Sequence, residues 1–160
     1  MSAGLDILTP AGQEPLQQES AAYAIFERCF PDYTIEKTIE PDARLDGRIM
    51  LRGKKVALVE TKCRFDVDLY QFRTKYRNQW LITERKLLVG ADYARRERVP
   101  LYGFCFFVRG QVLLVKQLAD AFCKLIDYYV KETKTSKGIN GGEATRRNGF
   151  VDMSDCEPLQ

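Results

Sequence analysis

Histidine is absent from this 160-residue chain. That removes any imidazole base working near neutral pH, and it leaves the mixed Cys/His spacings of zinc sites incomplete. Cysteine is sparse and scattered: Cys29, Cys63, Cys105, Cys123 and Cys156 include no pair at two-residue spacing. A nucleophilic cysteine would also lack its usual histidine partner. An odd number of thiols, three of them in apolar stretches, reads as reduced and buried in an intracellular protein. Long apolar runs are missing too. No segment approaches membrane-spanning length, and Met1-Ser2-Ala3-Gly4-Leu5-Asp6 lacks the basic region and apolar core of a secretory signal. The expectation is a soluble cytoplasmic protein without membrane partners, residing in the host cytoplasm if it is viral.

What is present points to one folded domain. An apolar share of 45% with 11% aromatics argues against wholesale disorder, and the length suits a single core. The net charge of +3 conceals an asymmetry: residues 1–46 hold three basic and nine acidic side chains, whereas residues 47–98 hold fourteen basic and six acidic. The middle of the chain is an electropositive block, which suits a polyanionic partner or, more plainly, a solvated helix face.

Hydrophobic periodicity sets out the expected elements. Residues 1–18, with Pro10, Gly12 and Pro15, read as a flexible leader, and Ser20 as the N-cap of a helix over 21–30. Strands are expected over 33–40 and 43–51, then, after a turn at Arg52-Gly53-Lys54, from Val56 onward. Phe72, Tyr76, Trp80, Thr83, Leu87, Ala91 and Ala94 recur at helical spacing, which predicts one long helix over 69–98 or two with a break near Gly90. Strands over 101–108 and 111–118 and a helix over 119–132 complete a domain over 19–132. Residues 133–160 read as a polar tail in which only Phe150-Val151-Asp152-Met153 suggests a short strand or docking segment. A strand, a long helix and another apolar strand imply a parallel crossover, hence an α/β sandwich with a mixed central sheet.

The chemistry concentrates on the hairpin. Glu60 and Lys62 end an apolar strand and share one face, about 6.6 Å apart. A three-residue loop at Arg52-Gly53-Lys54 pairs Leu51 with Lys55 and brings Asp46 opposite Glu60, whereas a two-residue loop would slip the register. Two carboxylates at such a distance repel unless a cation lies between them. A divalent ion there would polarise a phosphate and lower the pKa of bound water, Lys62 would stabilise developing charge, and the Thr61 backbone carbonyl would offer a further oxygen. No histidine is needed.

Asp46 followed by Glu60-Thr61-Lys62, in a helix, three-strand, helix, strand order, resembles the PD-(D/E)xK nuclease superfamily, whose small members include phage, RecB-like and Holliday-junction-resolvase branches. The resemblance spans roughly residues 20–118. It implies a restriction-endonuclease-like fold, Mg2+ or Mn2+ as cofactor, Asp46 and Glu60 as metal ligands, Lys62 as catalytic lysine, and Glu27 as the added glutamate from the first helix. It also implies phosphate-contacting or site-supporting roles for Gln71, Lys75 and Lys86. Pro41-Asp42 matches the literal motif name, yet Asp46 has the shorter gap to Glu60 and is followed by Gly47, so Asp46 is preferred. Gln71 and Gln79 are not followed four residues later by tyrosine, so the RecB-like helix motif is not met.

Plainer readings stand beside these. Asp46, Glu60 and Lys62 could form an edge-of-sheet ion pair, Glu27 could be a solvated helix residue, and Tyr76 and Trp80 read as core residues before base-stacking ones. The leading expectation is a metal-dependent nuclease, including endonuclease action, that hydrolyses phosphodiester bonds in DNA, with RNA as a further candidate partner, functioning alone or as a homodimer. The alternative is a catalytically inactive nuclease-fold module that binds nucleic acid or a host protein.

Overall fold

The computed structural model describes residues 10–38, 45–136 and 143–160. A mixed five-stranded sheet of order β1-β2-β3-β5-β6 is built from β1 (Tyr33–Lys37), β2 (Gly47–Leu51), β3 (Lys54–Arg64), β5 (Leu101–Phe107) and β6 (Val112–Ala119). Among the neighbouring pairs of these strands only β3–β5 is parallel. A three-stranded antiparallel sheet, β4-β8-β7, comprises β4 (Gln79–Thr83), β7 (Tyr129–Ser136) and β8 (Glu143–Asp152). The helices are α1 (Pro10–Cys29), α2 (Leu69–Thr74) and α3 (Glu84–Glu97). The protein is therefore a mixed α/β fold with apolar layers on both faces of its larger sheet.

Alternation along β3 separates the two layers. Ala57 and Val59 pack with Ala22, Tyr23, Ile25 and Phe26 of α1 and with Phe104 and Phe106 of β5. Leu58 packs on the opposite face with Trp80 and Ile82 of β4 and Leu87, Ala91 and Ala94 of α3. Burying apolar area on both sides explains why this strand reads as an unbroken apolar run.

The β2–β3 turn differs from the expected one. Leu51 pairs with Lys54, so the loop has two residues, Arg52 and Gly53, and both have positive φ (50° and 77°) as a type I′ hairpin turn requires. Ile49 then pairs with Ala57 while Met50 pairs with Lys55, so Val56 is an extra residue bulged out of the ladder. The shorter turn and the bulge offset each other, and Gly47 pairs with Val59. Beyond that rung the Asp46 amide donates to the Val59 carbonyl (3.1 Å), so the chain stays beside β3 as it leaves β2.

Several element expectations are corrected. Helix α1 begins at Pro10, so residues 10–18 are helical, and the Ser20 hydroxyl donates back to the Leu16 carbonyl (3.1 Å) instead of capping a helix start. The long helix over 69–98 is two helices with a strand between. Arg77 and Asn78 both take positive φ (52° and 61°), which ends helical winding, and Trp80 and Ile82 then alternate inward on β4. Gly90 lies within α3 rather than at a break; its bare Cα lets Leu101 approach, since a Cβ there would stand 2.7 Å from Leu101 Cδ2. Residues 119–132 are not a helix. The Asp120 carboxylate accepts the Phe122 and Lys124 amides (both 2.9 Å), which closes a turn in place of the first helical bonds, and β7 follows from Tyr129. Within the expected tail, β7 and β8 pair, and Val151 and Met153 join the core. Asp42 lies outside the described residues. None of the described helices is long and apolar enough to cross a membrane.

Candidate functional site

Strand β3 outlasts its neighbour, and that mismatch makes the site. The Leu58 amide bonds toward β5, donating to the Pro100 carbonyl (2.9 Å), and the Arg64 carbonyl accepts from Val108 (2.9 Å), so even-numbered residues use the β5 side. Odd-numbered residues present N–H and C=O to the β2 side, because both backbone groups of a strand residue point the same way. By Thr61 the β2 ladder has ended. The Asp46 carboxylate takes the place of a ladder carbonyl and accepts the Thr61 amide through Oδ2 at 2.6 Å. The Thr61 carbonyl points to that same β2 side.

Glu60 is buried and Lys62 half-buried on the face that carries Leu58. Glu60 pairs with Gly103 on β5, and Gly103 is bare because Trp80 covers it: a Cβ there would meet Trp80 Cζ3 at 2.3 Å. The indole gives Glu60 an apolar neighbour. Burial first, and then the charge of Asp46, push the Glu60 carboxyl up to about 8. Asp46 is also raised, chiefly by burial, against the opposing pull of the Thr61 amide and Lys86. The Lys86 ammonium on α3 meets Glu60 Oε1 at 3.2 Å while its side chain stays 63% exposed, and Glu60 in turn raises its pKa.

Lys62 donates to the Leu81 backbone carbonyl on β4 (2.9 Å), so the second sheet fixes where its amine lies. Burial and then the Arg64 guanidinium lower its pKa to about 8. On the other face of β3, the Thr61 hydroxyl and the Tyr23 phenol share a 2.8 Å hydrogen bond that ties α1 to the strand. Burial pushes the Cys63 thiol up to about 12, which leaves no thiolate to act as a nucleophile near neutral pH.

Asp46, Glu60, Thr61, Lys62 and Lys86 thus share one end of β3. Glu27 belongs to a different part of α1: Glu19, one turn before Tyr23, interacts with Asp46, Glu60 and Lys86, and Glu27 lies a further eight residues on, about 12 Å along the axis. Burial and the Asp46 charge raise Glu19 to about 7. Its spacing to Tyr23 and Phe26 on one helix face is the signal that identifies it. Gln71 has a structural role. Its side chain accepts the Asp68 amide (3.0 Å) while Asp68 accepts the Gln71 amide (2.8 Å), a capping box for α2. Lys75 is exposed next to Tyr76, which is itself on the surface rather than in the core, whereas Trp80 is fully buried as expected.

The chain matches no protein-family model, no curated protein and no solved structure. The site therefore has to be read from its own chemistry. Among the described residues no cluster of three or more His, Cys, Asp or Glu side chains is arranged to hold a metal. The donor set at the end of β3 is two carboxylates and a backbone carbonyl, all hard oxygens. That suits Mg2+ or Mn2+, which are commonly bound by one or two carboxylates with water and substrate phosphate completing the shell.

Proposed function

We propose that this protein is a divalent-metal-dependent nuclease that hydrolyses phosphodiester bonds in DNA, built on a restriction-endonuclease-like core. The observation that carries this reading is the Asp46 carboxylate, held by the Thr61 amide just beyond the last β2–β3 rung and near enough to raise Glu60 by its charge, with Lys62 two residues on. A buried Glu60 raised by the charge of a half-buried Asp46 calls for a cation, and Lys86, largely in solvent, neutralises only part of that charge.

Asp46, Glu60 and the Thr61 carbonyl would hold Mg2+ or Mn2+, and a bound ion of this kind supplies charge neutralisation at phosphate and a water of lowered pKa. The chain's own groups supply orientation and protons. The Thr61 amide fixes the Asp46 carboxylate, and the Tyr23 phenol fixes Thr61. Lys62, anchored on the Leu81 carbonyl and with a pKa of about 8, is mostly protonated at neutral pH, so it can donate a hydrogen bond to a phosphate oxygen as negative charge grows. Glu19, with a pKa of about 7, can hold or release a proton beside Asp46. Lys86 can contact a non-bridging phosphate oxygen.

The test is incubation of the parent with single-stranded, duplex and branched DNA in Mg2+ or Mn2+, beside Glu60→Ala and Lys62→Ala. Cleavage by the parent and its loss in both variants is the expected result. Variants as active as the parent would overturn the assignment.

A further inference from the structure

The face of β3 that bears Glu60 and Lys62 continues through Arg64, each step about 6.6 Å, and does not end at the sheet. The Arg64 guanidinium lies 5.8 Å from the centroid of the Tyr76 ring, and the Lys75 ammonium lies 5.6 Å from the same centroid. Tyr76 is nevertheless 40% exposed, Tyr70 on α2 is 75% exposed, and Phe65 is 39% exposed. Three large aromatic side chains are thus left in water within one short segment, which has no packing reason. The segment is also well anchored. Its helix is closed by the Asp68–Gln71 capping box, and Val67 and Phe72 are buried, Phe72 with its ring centroid 5.0 Å from that of Phe107.

We propose that this ledge, from Arg64 to Tyr76, is a stacking platform for a single-stranded nucleic acid that leads toward Lys62. Exposed rings interleaved with cations match the two needs of an unpaired strand: π-faces for its bases and positive charge for its phosphates. Arg64, Arg73, Lys75 and Arg77 supply the charge. Of the two acids in the segment, Asp68 is committed to the helix cap and Asp66 projects into solvent. Cations beside the ring also place phosphate-binding charge next to a stacking surface. A duplex, whose bases are already stacked, gains only the phosphate contacts. The inference rests on the nuclease reading for the fate of the bound strand and not for binding itself.

The experiment is fluorescence anisotropy in EDTA, so that no cleavage intervenes, with labelled single-stranded DNA, single-stranded RNA and duplex DNA of one sequence. Tight binding of one or both single strands over the duplex is expected. Tyr76→Ala should weaken single-strand binding by roughly tenfold, with Tyr70→Ala in the same direction and Tyr76→Phe close to the parent, because stacking needs the ring and not the hydroxyl. Circular dichroism of each variant checks that it is folded; both tyrosines are solvent-facing, so their loss leaves the core intact. Duplex binding as tight as single-strand binding, or Tyr76→Ala and Tyr70→Ala both equal to the parent, would overturn the platform. Tyrosine-dependent binding with no cleavage in Mg2+ or Mn2+ would support the platform and count against the nuclease reading alone. Cleavage indifferent to Tyr76 and Tyr70 would count against the platform alone.

Discussion

Asp46 reaches the Thr61 amide, 2.6 Å from its Oδ2, because two irregularities in one hairpin offset each other, the two-residue turn at Arg52-Gly53 and the bulge at Val56. Asp46 then has two separable tasks: it accepts the Thr61 amide, and it supplies a negative charge that raises Glu60. Substitutions can divide these tasks. Asp46→Asn keeps an acceptor for the amide and removes the repulsion, so in EDTA at neutral pH it should be at least as stable as the parent. Asp46→Ala leaves the Thr61 N–H without its partner and should cost about 1–3 kcal/mol relative to Asp46→Asn. Both should also lack the Mn2+ binding heat that the proposed metal site predicts for the parent in titration calorimetry. Urea melts that rank Asp46→Ala equal to Asp46→Asn would remove the hydrogen bond as a stabilising feature.

The metal-free protein should weaken as pH rises. Glu60 goes from an ordinary 4.5 to about 8 on folding and Glu19 from 4.5 to about 7, so between these values the folded chain holds protons that the unfolded chain has released. Stability from these two groups is fully present below 4.5 and is lost as pH climbs through about 7 and then about 8. Lys62 acts in the opposite sense below its unfolded value of 10.5: folding costs stability while the unfolded amine is charged and the folded one, at about 8, resists charging. That cost shrinks only as pH rises from about 8 toward 10.5, above the window in which the carboxyls act. Urea denaturation in EDTA should therefore show a drop between about pH 5 and pH 8, on the order of a few kcal/mol. Glu60→Gln should flatten much of it. A parent and a Glu60→Gln variant with parallel pH profiles would contradict the burial of an ionisable Glu60.

The same residues mark how far the amino-acid sequence alone specifies the site. The apolar strand ending at Glu60 and the charge-bearing face shared with Lys62 follow from period-two alternation, which the sheet preserves. The position of Asp46 at the end of β3 depends on a two-residue turn and a bulge in place of the expected three-residue turn, and Val56 carries no distinctive feature that marks a bulge. Strand β4 is hidden because Phe72, Tyr76, Trp80 and Thr83 fall near helical spacing, while Trp80 and Ile82 also satisfy period two; the positive φ of Arg77 and Asn78 decides between them. Glu19 escapes notice because Ser20 resembles a helix cap, which puts the residue before it outside the helix. In fact α1 runs through Ser20, and Glu19 shares a face with Tyr23. The turn after β6 depends on Asp120 capturing two amides, a local competition that apolar periodicity does not register.

If Asp46 and Glu60 hold a divalent cation as proposed, Lys86 should compete with it for them. Its ammonium is 3.2 Å from Glu60 and most of its side chain is in water. Lys86→Met removes that positive charge while keeping a long unbranched side chain. Mn2+ should then bind roughly fivefold more tightly, the scale of one partly exposed ion pair. Each ion bound should also release more protons at about pH 7, since Glu60 without its lysine starts further toward the neutral form. Calorimetry in buffers of differing ionisation heat separates the two quantities. Unchanged Mn2+ affinity would mean that Lys86 does not share the carboxylates with the ion.

Gly103 is the least conspicuous requirement of the site. It stands beside Glu60 in the β3–β5 register, and a Cβ there would lie 2.3 Å from Trp80 Cζ3 and 2.8 Å from Leu118 Cδ1. Neither neighbour can yield easily, because Trp80 and Leu118 are both fully buried. Gly103→Ala should therefore displace the indole and destabilise the fold by about 1–3 kcal/mol or more. Trp80 is the only tryptophan in the chain, so its emission reports the displacement directly. A red shift with retained β-sheet circular dichroism is expected. The strand that carries Leu81, whose carbonyl holds Lys62, begins at Gln79 and includes Trp80, so the same substitution should loosen the lysine and lower cleavage beyond what the stability loss explains. The compensating double variant Gly103→Ala with Trp80→Phe should recover part of the stability, because the smaller ring frees space for the added methyl. Recovery of fold without recovery of activity would locate the functional loss in the position of Lys62, whereas recovery of both would show that the indole serves as packing alone.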